Sequence, residues 1–165
     1  RFDMKKLEAI NGDKIRALTQ DKFLQWALPF LTNSKVISGS NEEIELVKKA
    51  LPIIQERIVT LSEIPAMLNF LFVKDFKVEE ASLPKVTDSA SKDVLKRSLA
   101  ELTPLTTWNH ESIEAALRAS LIEEMGLKPR IAFGAVRIAT TGSTISPPLF
   151  ESMELLGKED RKSVV

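Results

Sequence analysis

The sequence predicts an all-α chain, two small helical subdomains in tandem. Apolar residues recur close to a 3.6-residue period through most of the 165 residues. Ser, Thr and Asn stand where helices would begin, and glycine where they would stop. Strand signals are weak: the best window, residues 131–138, alternates poorly and contains Gly134.

Taken in order, residues 5–18 read as two short helices broken at Asn11-Gly12. Residues 21–31 carry Phe23, Leu24, Trp26, Ala27, Leu28 and Leu31 at helical spacing, with Pro29 limiting or kinking the element. Ser40-Asn41-Glu42-Glu43 is a capping-box pattern, with Ser40 as N-cap and Glu43 reaching back. Behind it lies the stripe Ile44, Val47, Leu51, Ile54, read as core. Thr60-Leu61-Ser62-Glu63 is a second start signal, with Pro65 in the tolerated first turn.

Residues 74–88 mix Lys, Glu, Ser and Pro without period and read as a linker. The expected subdomains are therefore 1–78 and 79–165. In the second, Val94, Leu95, Leu99 and Leu102 form a helix that ends before Pro104. Asn109 is a good N-cap for the helix carrying Ile113, Leu117 and Leu121, and Gly126 is its stop. Residues 143–148 form a turn-rich loop, and residues 149–156 a last short helix stopped by Gly157.

Composition excludes several function classes. Lys plus Arg and Asp plus Glu are 23 each, so the net charge is zero. A globally basic nucleic-acid coat or polybasic membrane tail is ruled out. Cysteine is absent, which removes disulfides, thiolate metal sites and a cysteine nucleophile and fits a reducing compartment. The single histidine, His110, excludes a His-pair metal site. The longest strongly apolar run, about ten residues over 64–73, is too short to cross a bilayer. A start at Arg1 and an abrupt stop at Val165 read as an excised piece of a longer protein.

No catalytic constellation emerges. The six glycines are scattered and form no phosphate-cradling motif. Adjacent acid pairs such as Glu42-Glu43 and Glu123-Glu124 diverge by about 100° on a helix, so they read as solvated faces. His110 has no nucleophile or orienting partner in view, and a structural or surface role is expected. Trp26 and Trp108 sit in apolar helical contexts and read as core. One stretch stands apart. Residues 126–150 hold Lys128, Arg130 and Arg137 and no acid. Such a segment in a neutral chain suits either a plain structural loop or an anionic partner.

The run from Pro129 to Glu151, with Arg137-Ile138-Ala139, Thr141-Gly142, Ser146-Pro147-Pro148 and Leu149-Phe150-Glu151, followed by Leu155-Leu156-Gly157-Lys158-Glu159, resembles the C-terminal anticodon-binding region of bacterial glutamyl-tRNA synthetases. Three further stretches agree in order. Met4 to Gly12 resembles the segment joining the family's stem-contact region to its helical cage, so residues 1–22 resemble that connection. Arg57-Ile58-Val59-Thr60-Leu61-Ser62-Glu63 resembles its Arg-x-x-Thr-Leu-x-Glu element. Trp108-Asn109-His110-Glu111-Ser112-Ile113 resembles a Trp-Thr-x-Glu-x-Ile helix start. Thr140, Pro148 and Asn109 depart from the common pattern.

The resemblance implies a tRNA-selecting fragment of a class I ligase that joins glutamate to its tRNA. The fragment itself would be non-catalytic and hold no cofactor. ATP and Mg²⁺ would belong to the parent's missing catalytic domain. Its partners would be the anticodon loop of tRNA(Glu) and the parent's catalytic and stem-contact domains. It would be cytoplasmic and monomeric, with no membrane partner. By residue-wise carry-over, Arg57 would read the third anticodon base, Arg137 the first, and Ser146, Pro147 and Leu149 would supply loop contacts. A guanidinium only donates hydrogen bonds. The pairing edge of cytosine offers acceptors where guanine offers donors, so Arg57 would accept an anticodon ending in C and reject one ending in G. The Ser-Pro-Pro turn would present main-chain acceptors, Leu149 an apolar wall to a base, and Ser146 a helix N-cap besides.

Two other readings remain. One is a helical protein–protein interaction module without RNA selectivity, docking through its apolar stripes. The other is a hydrolase built on His110, disfavoured because no nucleophile or oxyanion loop accompanies it.

Overall fold

A computed structural model describes residues 3–73 and 77–158. Those residues are helical and loop, with no strand among them. The internal contacts divide the chain into two units, residues 1–74 and 75–165.

In the first unit, α1 (Met4–Arg16), α2 (Gln20–Asn33), α3 (Asn41–Ile54) and α4 (Ile64–Phe72) follow one another. The expected break at Asn11-Gly12 is absent: α1 runs through both residues. Packing explains why. A Cβ at Gly12 would lie 3.1 Å from Arg16 Nη1 and 3.4 Å from Val59 Cγ1. The Asn11 amide donates to the Val59 carbonyl. Glycine thus serves a close approach here, and tertiary contact overrides its low helix propensity. Pro29 is likewise carried inside α2.

The capping box forms as expected. Ser40 Oγ accepts from Glu43 N–H, and Glu43 Oε2 accepts from the N–H groups of Ser38, Gly39 and Ser40. On α3, Val47, Leu51 and Ile54 are buried and Ile44 half-buried. Helices α2, α3 and α4 pack pairwise around this stripe, Phe23, Leu31 and Leu68. Trp26 departs from the expected core placement: it is 49% exposed on α2.

In the second unit, the segment expected as a linker carries structure. A 3₁₀ turn (Glu80–Ser82) leads into α5 (Pro84–Thr87), and Glu79 N–H bonds to the Gly142 carbonyl at 2.9 Å. The part of that segment at 74–76 lies outside the described residues. Helix α6 (Ser89–Leu102) follows, then α7 (His110–Leu117), α8 (Pro129–Thr141) and α9 (Leu149–Leu156).

Asn109 caps α7 by accepting from Ser112 N–H at 2.8 Å. Beyond Leu117 the helix widens into a π-segment, Arg118–Glu124, and ends at Gly126 with φ 67°. Arg97 of α6 braces that segment through Ser120 Oγ at 2.7 Å and through Glu124. The core of this unit joins Val94, Ile113, Leu117, Leu121, Val136, Leu149 and Met153. Trp108 packs against it, its indole N–H on the Met153 carbonyl at 2.9 Å.

Candidate nucleic-acid interface

Arg57 lies in the turn after α3, in the first unit, and the chain around it is pinned from several sides. Two residues before it, Gln55 is buried. Its amide donates to the carbonyls of Ile15 and Leu18 at 2.9 Å each and accepts from Gln20 at 2.7 Å. That side chain therefore ties the turn after α3 to the last turn of α1 and to Leu18 just beyond it. One residue after Arg57, Ile58 is fully buried. Val59 and Thr60 N–H each donate to Glu63 Oε2 at 2.8 Å, and the Val59 carbonyl accepts from Asn11. Arg57 itself is exposed. A fixed backbone thus presents an outward guanidinium, at low entropic cost for a contact.

The other expected contacts lie in the second unit, around the junction of α8 and α9. Helix α8 ends at Gly142 in the left-handed region, φ 79°. Thr141 Oγ1 donates to the Arg137 carbonyl at 2.8 Å and turns the chain back on itself. Arg137 reaches forward from α8 into the loop, its Nη1 donating to Ser146 Oγ and, at 2.8 Å, to the Pro147 carbonyl. Ser146 O–H donates to the same carbonyl at 2.9 Å. Arg137, Ser146 and Pro147 therefore form one hydrogen-bonded cluster.

Three expectations change here. The Pro147 carbonyl already takes two donors, and the Pro148 carbonyl accepts from Ser152 N–H at 3.0 Å and Ser152 Oγ at 2.6 Å. The Ser-Pro-Pro turn spends these acceptors internally, since a carbonyl has two lone pairs. Ser146 does not cap α9; Pro148 occupies that position. Leu149 is not an apolar wall in this structure, because it is 3% exposed and belongs to the core. The apolar side chain that the loop does expose is Ile145, at 77%. Sequence reasoning missed it, although an isoleucine inside a Ser/Thr/Gly/Pro loop was the available signal.

Beside this loop runs an open groove of about 650 Å³, lined by α8 and by the start of α5 and α6. Arg137, Gly134, Arg130 and Ile131 form its α8 wall, with Lys85 opposite. The one acid among the described residues lining it, Asp88, is engaged as the α6 N-cap, accepting from Ser91 N–H at 2.8 Å, and the Ser91 contacts hold its carboxyl below the usual range. Phe133, which also lines the groove, meets Phe150 edge-to-face at 5.2 Å, with Arg118 5.4 Å over its ring.

His110 is paired with a carboxylate of α9. Its Nδ1 lies 2.8 Å from Glu154 Oε2, tying the start of α7 to α9. That bond raises its pKa, burial opposes the shift, and the charges of Glu154, Glu151 and Glu111 add to it. Among the described residues, no three His, Asp or Glu side chains gather as a metal cage, and no helix is long and apolar enough to cross a membrane.

Known proteins resemble this chain throughout. The family model described as an anticodon binding domain matches residues 22–162. The chain is similar to a glutamate–tRNA ligase of Saccharopolyspora erythraea, 44% identical over 162 residues, covering 96% of this chain and 32% of that protein. It is 45% identical over 163 residues to a glutamate–tRNA ligase of Nocardioides sp., covering 96% and 33%. Among solved structures, a glutamate tRNA ligase from Elizabethkingia meningosepticum in complex with its amino acid superposes with a TM-score of 0.76 at 19% identity, over 99% of this chain and 32% of that one. That likeness shows the same helical fold. The chain spans about a third of the length of the relatives it matches.

Proposed function

The chain belongs to the anticodon-binding domain family, in the form shared with glutamate–tRNA ligases, and from that membership we propose that it selects tRNA(Glu) by reading its anticodon loop. Sequence-specific RNA recognition works on splayed loop bases, through stacking and hydrogen bonds to their pairing edges. The observation that carries this reading is Arg57: an exposed arginine on a turn locked by Gln55, Ile58 and Glu63. Placed against the third anticodon base, its donors match the N3 and O2 acceptors of cytosine. They meet the donors of guanine with nothing to accept them. One unpaired buried donor on each side costs about 1–3 kcal/mol, enough for a ten- to hundredfold preference.

On this reading Arg137 and Ser146 act together on the first two bases. Their mutual bond shapes the loop, with Ile145 as the apolar surface a base would meet. The parent would attach glutamate to the tRNA, with ATP and Mg²⁺ handled by its remaining two thirds. This chain would work as a monomeric portion of it in the cytoplasm.

The test is a low-salt titration of the 165-residue chain with two anticodon stem-loops, one ending in C and one in G, repeated with Arg57→Ala. Tighter binding of the C form, lost in the variant, is the expected result. No binding of either RNA would move the assignment to a protein-interaction module. Equal binding of both would leave RNA recognition standing and remove Arg57 from it.

A further inference from the structure

We propose that Gly134 is the point where the sugar–phosphate backbone of single-stranded RNA lies against α8, flanked by Arg130 and Lys85; this rests on the anticodon-reading assignment above. A glycine in mid-helix lowers helix stability relative to alanine. At Gly12 a Cβ would at least have neighbours, the flexible end of Arg16 at 3.1 Å and Val59 Cγ1 at 3.4 Å. At Gly134, apart from the helix's own backbone, nothing among the described residues lies within 4 Å of where a Cβ would be. The residue is the sixth of the thirteen in α8, far from either cap. The packing of this chain gives no reason for the missing side chain, so the reason stands on the open side.

That side is the groove. Arg130 precedes Gly134 by four residues and Arg137 follows by three, which puts all three on one face of α8, the outer two about 10 Å apart along the axis. Lys85 lines the opposite wall. Arg130 and Lys85 are exposed cations, and the carboxylate of Asp88 is turned to the α6 terminus. A surface of positive charge around a bare stretch of helix backbone fits an anionic chain that must come close. Ribose–phosphate suits it better than an acidic peptide, because Arg137 joins this groove directly to the loop proposed to hold the bases.

The experiment compares the native chain with Gly134→Ala, Gly134→Leu and Arg130→Ala. It uses thermal melts and titration with the C-ending stem-loop over a range of salt. An oligoglutamate peptide is titrated in parallel. Gly134→Ala should melt at the native temperature or higher and bind RNA about tenfold more weakly. Gly134→Leu should bind more weakly still, and Arg130→Ala should reduce the salt slope by about one. Native-like RNA binding by both glycine variants overturns the proposal while leaving anticodon reading intact. A lower melting temperature for Gly134→Ala also overturns it, because the glycine would then serve the fold. Glycine-sensitive binding of oligoglutamate with RNA binding unchanged would replace RNA by an acidic protein partner. A native chain that binds neither stem-loop removes both readings together.

Discussion

Arg137 Nη1 donates to the carbonyl of Pro147 at 2.8 Å, so a side chain from the middle of α8 holds a loop ten residues further along the chain. The same nitrogen reaches Ser146 Oγ. One guanidinium thus ties α8 to two successive residues of the loop.

Arg137→Ala should destabilise the chain by about 1–3 kcal/mol, the scale of hydrogen bonds to a charged group left unmade. Urea unfolding measures the loss, and amide exchange over residues 143–148 should accelerate more than elsewhere. Arg137→Lys, a point donor without the planar fork, should recover only part of it.

Gln55 is the anchor of the Arg57 turn. Gln55→Leu keeps the volume, takes the donor from the Leu18 carbonyl and leaves the Ile15 carbonyl only its backbone partners. The expected cost is about 2–3 kcal/mol in denaturant melts. Arg57→Ala, at an exposed position, should stay within about 0.5 kcal/mol of native stability. Their contrast separates a residue that builds the turn from one that uses it.

Ile145→Ser should leave stability unchanged within about 0.5 kcal/mol, because the side chain is 77% exposed. It should weaken stem-loop binding by removing an apolar contact to a base. Leu149→Ala, by contrast, should cost about 2–4 kcal/mol as a core truncation. Melting curves and RNA titrations on both variants check the reassignment from Leu149 to Ile145.

Glu154 holds the His110 imidazole above its ordinary value of 6.5. The folded state therefore favours the protonated ring. Stability from the pair is full below the unfolded value and is lost as pH rises through the folded one. The difference in melting temperature between the native chain and Glu154→Gln should be largest near about pH 6 and shrink by about pH 8. An NMR titration of the ring should show its pKa fall in the variant.

Glu43 behaves in the opposite sense. Hydrogen bonds from the Ser38 hydroxyl and from the backbone N–H groups of Ser40, Ser38 and Gly39 lower its carboxyl from 4.5 to about 2. Its contribution is present above 4.5 and disappears as pH falls towards 2. Glu43→Gln should thus destabilise the chain at neutral pH and match the native chain near about pH 2, followed by circular dichroism.

Local chemistry was readable without a structure. Ser40 with Glu43, Asn109 and the stop at Gly157 bond or turn within a few residues of their own position, so the short-range pattern names them. The arginines proposed to meet RNA, Arg57 and Arg137, were singled out instead by ordered motif resemblance, since a net charge of zero does not point to them. What failed was everything decided by distant neighbours. Gly12 stays helical because Val59 packs on it, and Trp26 is exposed despite an apolar helix.

By itself, then, the sequence determined the helical class, most helix ends, the absence of cysteine chemistry and the family motifs carrying Arg57 and Arg137. Only the tertiary structure decided that Leu149 belongs to the core while Ile145 faces outwards, that the Pro147 and Pro148 carbonyls are spent inside the loop, and that Gly134 faces an open groove. The physical reason is range. Helix periodicity and capping act over three or four residues. Burial, acceptor saturation and steric room are set by contacts between segments that the chain order alone does not bring together.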